Sequence, residues 1–176
     1  MIGYVELTSD YDAAMTACAT LQAASDIGNT TATEDGIFQA HQHLKLPAEG
    51  GNGRSYTNKV IVVLTDGVPN AWAIPSSEIS GHMLTEPSSE YYASDYKWLN
   101  AALVRTSQFK LDRGKEYLVG MGLGADYDFM DKMARMAGTD NNGKSPAGAT
   151  DPAQYEQTLT DIFTDIIQSS GSRLVQ

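Results

Sequence analysis

The sequence predicts an α/β fold with a mostly parallel sheet that is flanked by helices. Residues 60–64 are apolar without interruption, and all but Leu64 are β-branched, which is typical of a strand covered on both faces in a parallel sheet. A second apolar strand, residues 116–124, runs out into glycines after a stretch of helical periodicity. Strand and helix patterns alternate through the second half of the chain, which is the order expected of a parallel α/β domain.

The beginning of the chain predicts a short strand and a helix. Residues 2–7 alternate in polarity and are rich in β-forming residues. Ser9 and Asp12 have the spacing of a capping box, and the helix that they begin ends before Gly28. Its apolar face is formed by Ala14, Cys18 and Leu21.

A second helix is predicted after Thr31. Thr31 and Glu34 again have capping-box spacing, and Pro47 with the glycines that follow it ends the helical pattern. One face of this helix carries Ile37, Ala40, His41 and Leu44.

Three helices are predicted in the second half, and the loops between them differ in length. Residues 69–95 have no clear period and predict a long loop, while residues 139–150 predict a loop with one weak strand near its end. Asp151 and Pro152 are a favourable start for the closing helix. The apolar positions are Leu99, Ala102, Leu103, Thr106 and Phe109 in the first helix, Phe129, Met130, Met133 and Met136 in the second, and Tyr155, Leu159, Ile162, Phe163, Ile166 and Ile167 in the third.

Length and charge limit the classes of function. A chain of 176 residues predicts one domain, and its net charge of −10 disfavours binding to nucleic acid or to an anionic membrane surface. Cys18 is the single cysteine, so no disulfide forms within the chain. No apolar run has the length of a membrane-spanning helix, and the first residues lack the pattern of a signal peptide, so we expect any anchor or leader to lie upstream.

Asp66 follows the strand 60–64 in the sequence VIVVLTDGVPN, and it has two interpretations. The ordinary one is that Asp66 caps the turn, since Asp-Gly is a common turn dipeptide. The other is a ligand site, because ligands bind beyond the carboxyl ends of strands in open α/β sheets.

VIVVLTDGVPN, together with GNTTATEDGIFQAHQHL at residues 28–44, resembles the von Willebrand factor A domain family. Gly36 and Ile37 stand five and six positions after Thr31, as the family pattern has them. The resemblance implies that Thr31 and Asp66 help to hold a divalent cation, usually magnesium, in a metal-ion-dependent adhesion site. An acidic group of a protein partner would complete the coordination. A carboxylate and a hydroxyl suit magnesium, a hard ion that prefers oxygen ligands and keeps several waters.

The resemblance covers most of the chain. Residues 116–138 look like the family's next strand and helix, and residues 149–176 look like its closing helix, with an ending similar to pilus-assembly proteins of the TadG type. Residues 1–176 are therefore interpreted as the carboxyl-terminal portion of one such domain. The resemblance implies binding rather than catalysis, in a bacterial pilus or cell-surface assembly outside the cytoplasm.

The family's Asp-x-Ser-x-Ser metal motif is missing, and so is the first strand that carries it. In the family that strand lies beside the one matched by residues 60–64. We therefore expect an exposed strand edge, poor stability of the chain alone, and weak magnesium binding by Thr31 and Asp66. The segment 69–95 leaves the same sheet edge, and its aromatic residues Trp72, Tyr91 and Tyr92 are candidates either for partner contact or for packing.

Other functions were weighed against this one. The spacing of His41 and His43 on one helix does not suit a zinc site. A magnesium-dependent phosphotransferase with Asp66 as nucleophile would need a second aspartate where the chain has Val68. A structural scaffold with a non-functional metal site is the remaining alternative.

Overall fold

A computed structural model of the chain describes residues 10, 12, 13, 15, 16, 30–121, 125–139, 147–149, 156, 157, 160–162, 164 and 168. The continuous elements within them are, in chain order, α1 (Thr33–Leu44), β1 (Val60–Thr65), α2 (Ser76–Thr85), α3 (Lys97–Leu111), β2 (Lys115–Met121), α4 (Tyr127–Ala137) and β3 (Ala147–Ala149). A 3-10 turn, Pro47–Glu49, follows α1. In the described part of the chain no helix is long and apolar enough to cross a membrane.

The predicted α/β fold with a parallel sheet is confirmed. The strands lie in the order β1-β2-β3 and all pair in parallel, with Val60 opposite Lys115 and Thr65 opposite Gly120. We call the side of the sheet at which the strands begin, before Val60 and Lys115, the amino edge. The side at which they end, beyond Thr65 and Met121, is the carboxyl edge. Because α3 connects β1 to β2, it begins at the carboxyl edge and ends at the amino edge.

The core lies where α1, α3 and α4 pack against one another and the sheet, because the apolar faces of these helices meet there. Its largest fully buried apolar side chains are Ile37, Leu103, Phe109, Phe129, Met130 and Met133. The interpretation of the α4 methionines as core residues is confirmed. Asp126 caps α4, and its side chain accepts a hydrogen bond from the Phe129 amide at 3.0 Å.

The long loop predicted for residues 69–95 contains a helix, α2, so the prediction is wrong for residues 76–85. Ile79 is the buried residue of α2 and packs with Ile74 and Val104. Because this helix has one buried residue and is rich in serine, its sequence shows no helical repeat of apolar residues. The weak strand predicted near the end of residues 139–150 is confirmed as β3.

Asp10 accepts hydrogen bonds from the amides of Asp12 and Ala13, at 3.0 and 3.1 Å, whereas Ser9 lies outside the described residues. The capping box predicted at Thr31 and Glu34 is wrong. In α1 the N-cap is Ala32 and no side chain caps it. The predicted strand at residues 2–7, Cys18 and the apolar face of the closing helix apart from Ile162 lie outside the described residues.

One side of β1 has no strand partner among the described residues, because β2 pairs with the other side. Leu64, near the end of this free side, is 46% exposed. An unpaired strand with apolar side chains is a template for pairing with other chains. Among the described residues, this side of β1 is therefore open to pairing with another chain.

Leu64→Lys should reduce aggregation of the chain several-fold, because a charge on a free strand obstructs pairing between molecules. Light scattering during incubation at about 37 °C measures the rate of aggregation. Leu111→Lys is the matched control, since Leu111 is 57% exposed at the end of α3 and away from the free side of β1. Equal aggregation of the Leu64→Lys variant and the unmodified chain would show that β1 does not cause it.

Candidate metal centre

β1 places Asp66 at the carboxyl edge, where the chain bends through Asp66 and Gly67. Thr65 holds this bend: its Oγ1 donates to the Gly67 carbonyl at 3.0 Å and accepts from the Gly67 amide at 3.3 Å. The Asp66 side chain is exposed and accepts no hydrogen bond from a described residue. Thr65 rather than Asp66 therefore closes the turn, and the Asp66 carboxylate is available to a ligand.

Thr31 is held against the same bend by Asn70. The Thr31 amide donates to Asn70 Oδ1 at 2.8 Å, and the Asn70 amide donates to the Thr31 carbonyl at 3.0 Å. A Cβ placed on Gly67 would lie 3.5 Å from Thr31 Oγ1, so the threonine hydroxyl borders the residue that follows Asp66. The first residues before α1 and the loop after β1 thus form one unit.

The two predicted metal ligands line one cleft of about 410 Å³ between α1 and β1. The rest of its wall comes from the first half of α1, including Gly36, Ile37 and Ala40, and from β1. Thr31 and Asp66 supply polar atoms where the cleft reaches the carboxyl edge. The structure therefore brings together two residues that are 35 positions apart in the chain.

The chemistry of these two side chains suits a hard divalent cation held weakly. One carboxylate and one hydroxyl are oxygen donors, and neither has a hydrogen-bond partner among the described residues. Across the described ranges no group of three or more His, Cys, Asp or Glu side chains could hold a metal ion. Water and a partner would have to supply the remaining ligands.

A buried ion pair fixes the loop that leads away from this cleft. Glu34, which is 1% exposed, accepts hydrogen bonds from the amides of Ala73 and Ile74 at 2.8 and 3.4 Å and from Arg105 Nε at 2.8 Å. Arg105 also lies over the ring of Phe38, 4.3 Å from its centroid. This pair ties α1 to α3 and to the loop after β1. Sequence reasoning missed it, although Glu34 shares the inward helical face of Ile37.

The three histidines lie in separate environments. His41 Nε2 is 2.8 Å from Asp112 Oδ2, and burial lowers the pKa of His41 even though Asp112 opposes the shift. His82 Nε2 is 3.0 Å from Ser107 Oγ, and burial lowers the pKa of this imidazole as well. His43 is half-buried beside Asn52.

The candidate contact aromatics differ in exposure. Trp72 is 39% exposed, whereas Tyr91 and Tyr92 are half-buried and pack against the core. Trp72 and Tyr92 are the two ends of a row of rings with centroids 5.8 to 6.2 Å apart: Trp72, Trp98, Tyr96 and Tyr92. Tyr96 and Trp98 were missed, because neither stands out from the helical pattern that follows them.

A carboxyl group is buried at the opposite, amino edge. Glu116 of β2 is 1% exposed, and its Oε1 accepts a hydrogen bond from Thr106 Oγ1 at 2.9 Å. Its Oε2 has no hydrogen-bond partner among the described residues. Burial raises the pKa of Glu116 to about 8, although Thr106 opposes the shift. This group bears on stability, and it is not among the residues that line the cleft.

No protein-family model, no curated protein and no solved structure matches the chain.

Proposed function

We propose that this chain is a protein-binding module of von Willebrand A type in which Thr31 and Asp66 help to hold a divalent cation. The cation would bind an acidic group of the partner, and the resemblance favours a partner in a bacterial pilus or cell-surface assembly outside the cytoplasm. The observation that supports this most is that both side chains line one cleft and leave their oxygens free of hydrogen bonds to described residues.

The shape of the carboxyl edge supports binding to a protein rather than to a small molecule. The cleft is open beside Asp66, which is exposed, and the aromatic row that begins at Trp72 follows a few residues later in the chain. A metal beside exposed aromatic rings offers a partner one charged contact and several apolar ones, which is a common composition for the centre of an interface.

Binding of Mn²⁺, used as a probe for Mg²⁺, should be weakened at least about tenfold by Asp66→Asn, which keeps the size of the side chain but removes its charge. Thr31→Val should weaken it less, because a hydroxyl contributes no net charge. Electron paramagnetic resonance of free Mn²⁺ measures the affinity. Asp95→Asn is the matched control, since it removes one exposed carboxylate ahead of α3. Equal affinity in the Asp66 and Asp95 variants would overturn the metal site.

A structural scaffold is the second candidate, and the small number of ligands favours it. Among the described residues that line the cleft, Asp66 is the single carboxylate, and the other side-chain oxygens are the hydroxyls of Thr31, Thr33 and Thr65. The weakest protein sites for divalent cations have dissociation constants of about 1 mM. If the chain binds no Mn²⁺ at about that concentration, the scaffold function replaces the binding function.

A further inference from the structure

Unpaired positive charge collects at the amino edge of this acidic chain. Basic side chains end α1 and α3 there and flank the starts of β1 and β2; they are Lys45, Arg54, Lys59, Lys110, Arg113 and Lys115. We call these six residues the basic edge. None of them forms an ion pair with a described residue, whereas Arg105, Lys132 and Arg135 all do.

Contacts in the structure bring the basic edge together. The Lys115 amide donates to the Lys59 carbonyl at 2.9 Å, and Lys45 and Lys59 both lie close enough to His41 to disfavour its protonation. Arg54 and Lys59 line a second cleft, of about 380 Å³.

The nearby carboxylates of described residues form no ion pair with the basic edge. Asp112 is bonded to His41, the Glu49 side chain accepts a hydrogen bond from the Leu46 amide at 3.0 Å, and Glu116 is buried. An aromatic side chain also stands out at this edge: Tyr56, between Arg54 and Lys59, is fully exposed and has a positive φ of 62°.

The carboxyl edge carries the opposite charge. Its carboxylates follow β1, precede α3 and occupy the start of α4; we call Asp66, Asp95, Asp126 and Asp128 the acidic edge. Burial raises the pKa of the Tyr92 phenol, and the nearby carboxylates of Asp126 and Asp128 raise it further. Lys97 begins α3 beside Asp95, and Lys132 and Arg135 lie near the same tyrosine, where both pair with Glu90.

The two edges cannot neutralise each other within one molecule. The six residues of β1 separate them by about 20 Å at a strand rise of about 3.3 Å per residue. Charges in solution are screened beyond about 8 Å at physiological ionic strength, so the two edges of one molecule interact only weakly. A second copy of the chain provides both complementary surfaces at once.

We propose that copies of this chain associate head to tail, with the basic edge of one copy against the acidic edge of the next. The contact joins two different surfaces, so it is heterologous and continues into a ring or a filament rather than stopping at a dimer. Tyr56 on one side and the aromatic row on the other supply apolar area within the charged contact. The association requires no metal, although it uses Asp66 and the aromatic row that the proposed function also uses.

Sedimentation of the full 176-residue chain, in the Leu64→Lys background and with a chelator present, tests this association. The lysine obstructs pairing through β1, and the chelator removes any dependence on the metal site. We expect assemblies that grow with protein concentration at about 20 mM NaCl and return to monomer at about 500 mM NaCl, because salt screens charge contacts. A monomer at every concentration in low salt would overturn the proposal.

Two neutralised variants test which surfaces meet. Arg54→Gln/Lys59→Gln removes the centre of the basic edge, and Asp95→Asn/Asp128→Asn removes half of the acidic edge without changing the cap of α4. Each variant alone should associate at least about fivefold more weakly, whereas an equimolar mixture should form dimers and nothing larger, since each partner keeps one intact edge. Glu86→Gln is the control for an exposed charge outside both edges.

Other outcomes are decisive as well. Unimpaired growth of either double variant would refute the contact between the two edges. If the basic edge bound poly-glutamate in a salt-sensitive manner while the chain stayed monomeric, it would be a site for a foreign acidic protein and the self-association would be wrong. If the Lys59 substitution altered the melting temperature, Lys45→Gln/Arg54→Gln would repeat the test at the same edge.

Discussion

Replacing Arg105 by methionine should lower the free energy of unfolding by about 3–5 kcal/mol, the cost of breaking a buried ion pair. The change leaves the Glu34 carboxylate buried with only the amides of Ala73 and Ile74 as donors. It also removes the guanidinium that lies over Phe38. Urea denaturation, followed by circular dichroism, measures the loss.

The double variant Glu34→Gln/Arg105→Met separates the charge from the packing. It should recover part of the lost stability, because no uncompensated charge remains in the interior. Lys97→Met, at an exposed position of the same helix, is the control and should change stability by less than about 0.5 kcal/mol. A single Arg105 variant as stable as the control would mean that Glu34 finds another partner.

The stability of the chain should fall as the pH rises from about 4.5 to about 8, and Glu116 should cause much of this fall. Its pKa is about 8 in the folded chain against an ordinary value of 4.5, so the unfolded state releases this proton at lower pH than the folded state does. Between these values the unfolded state binds fewer protons, and the free energy of unfolding decreases with pH, by on the order of a few kcal/mol in total.

Glu116→Gln should flatten that dependence, since the amide has no proton to release. Urea denaturation at intervals of about one pH unit, from about pH 5 to about pH 8, measures the slope of the free energy of unfolding against pH. Glu49→Gln is the control, because Glu49 is an exposed acid near the same edge and its removal should leave the slope unchanged. A Glu116→Gln variant with the slope of the unmodified chain would show that Glu116 is not the group responsible.

The sequence was sufficient for the features that depend on short-range pattern. The uninterrupted apolar run of residues 60–64 predicted a parallel strand, and the spacing of Met130 and Met133 predicted the buried face of α4. The rule that parallel strands end at one edge also placed Asp66 correctly. From that rule and a resemblance, Thr31 could be expected beside it, and the two line the same cleft.

The features that the sequence did not predict depend on partners distant in the chain. Glu34 has the spacing of a helix cap relative to Thr31, but its actual partner Arg105 is 71 residues away and no local pattern points to it. One of the two interpretations of Asp66 was that it caps the turn, whereas the hydroxyl of Thr65 both donates and accepts the hydrogen bonds that close it. Helix α2 was missed because its burial depends on one isoleucine.

The reciprocal bonds between Thr31 and Asn70 give the candidate site a stability of its own that can be measured. Glu34 holds the same loop three residues further on, so opening of the cleft mouth requires the loop to leave α1 altogether. The Asn70 and Ala73 amides should therefore exchange their protons for deuterium at similar rates, as one cooperative unit. A substitution at Arg105, the partner of Glu34, would then loosen the loop at the cleft mouth without touching Thr31 or Asp66.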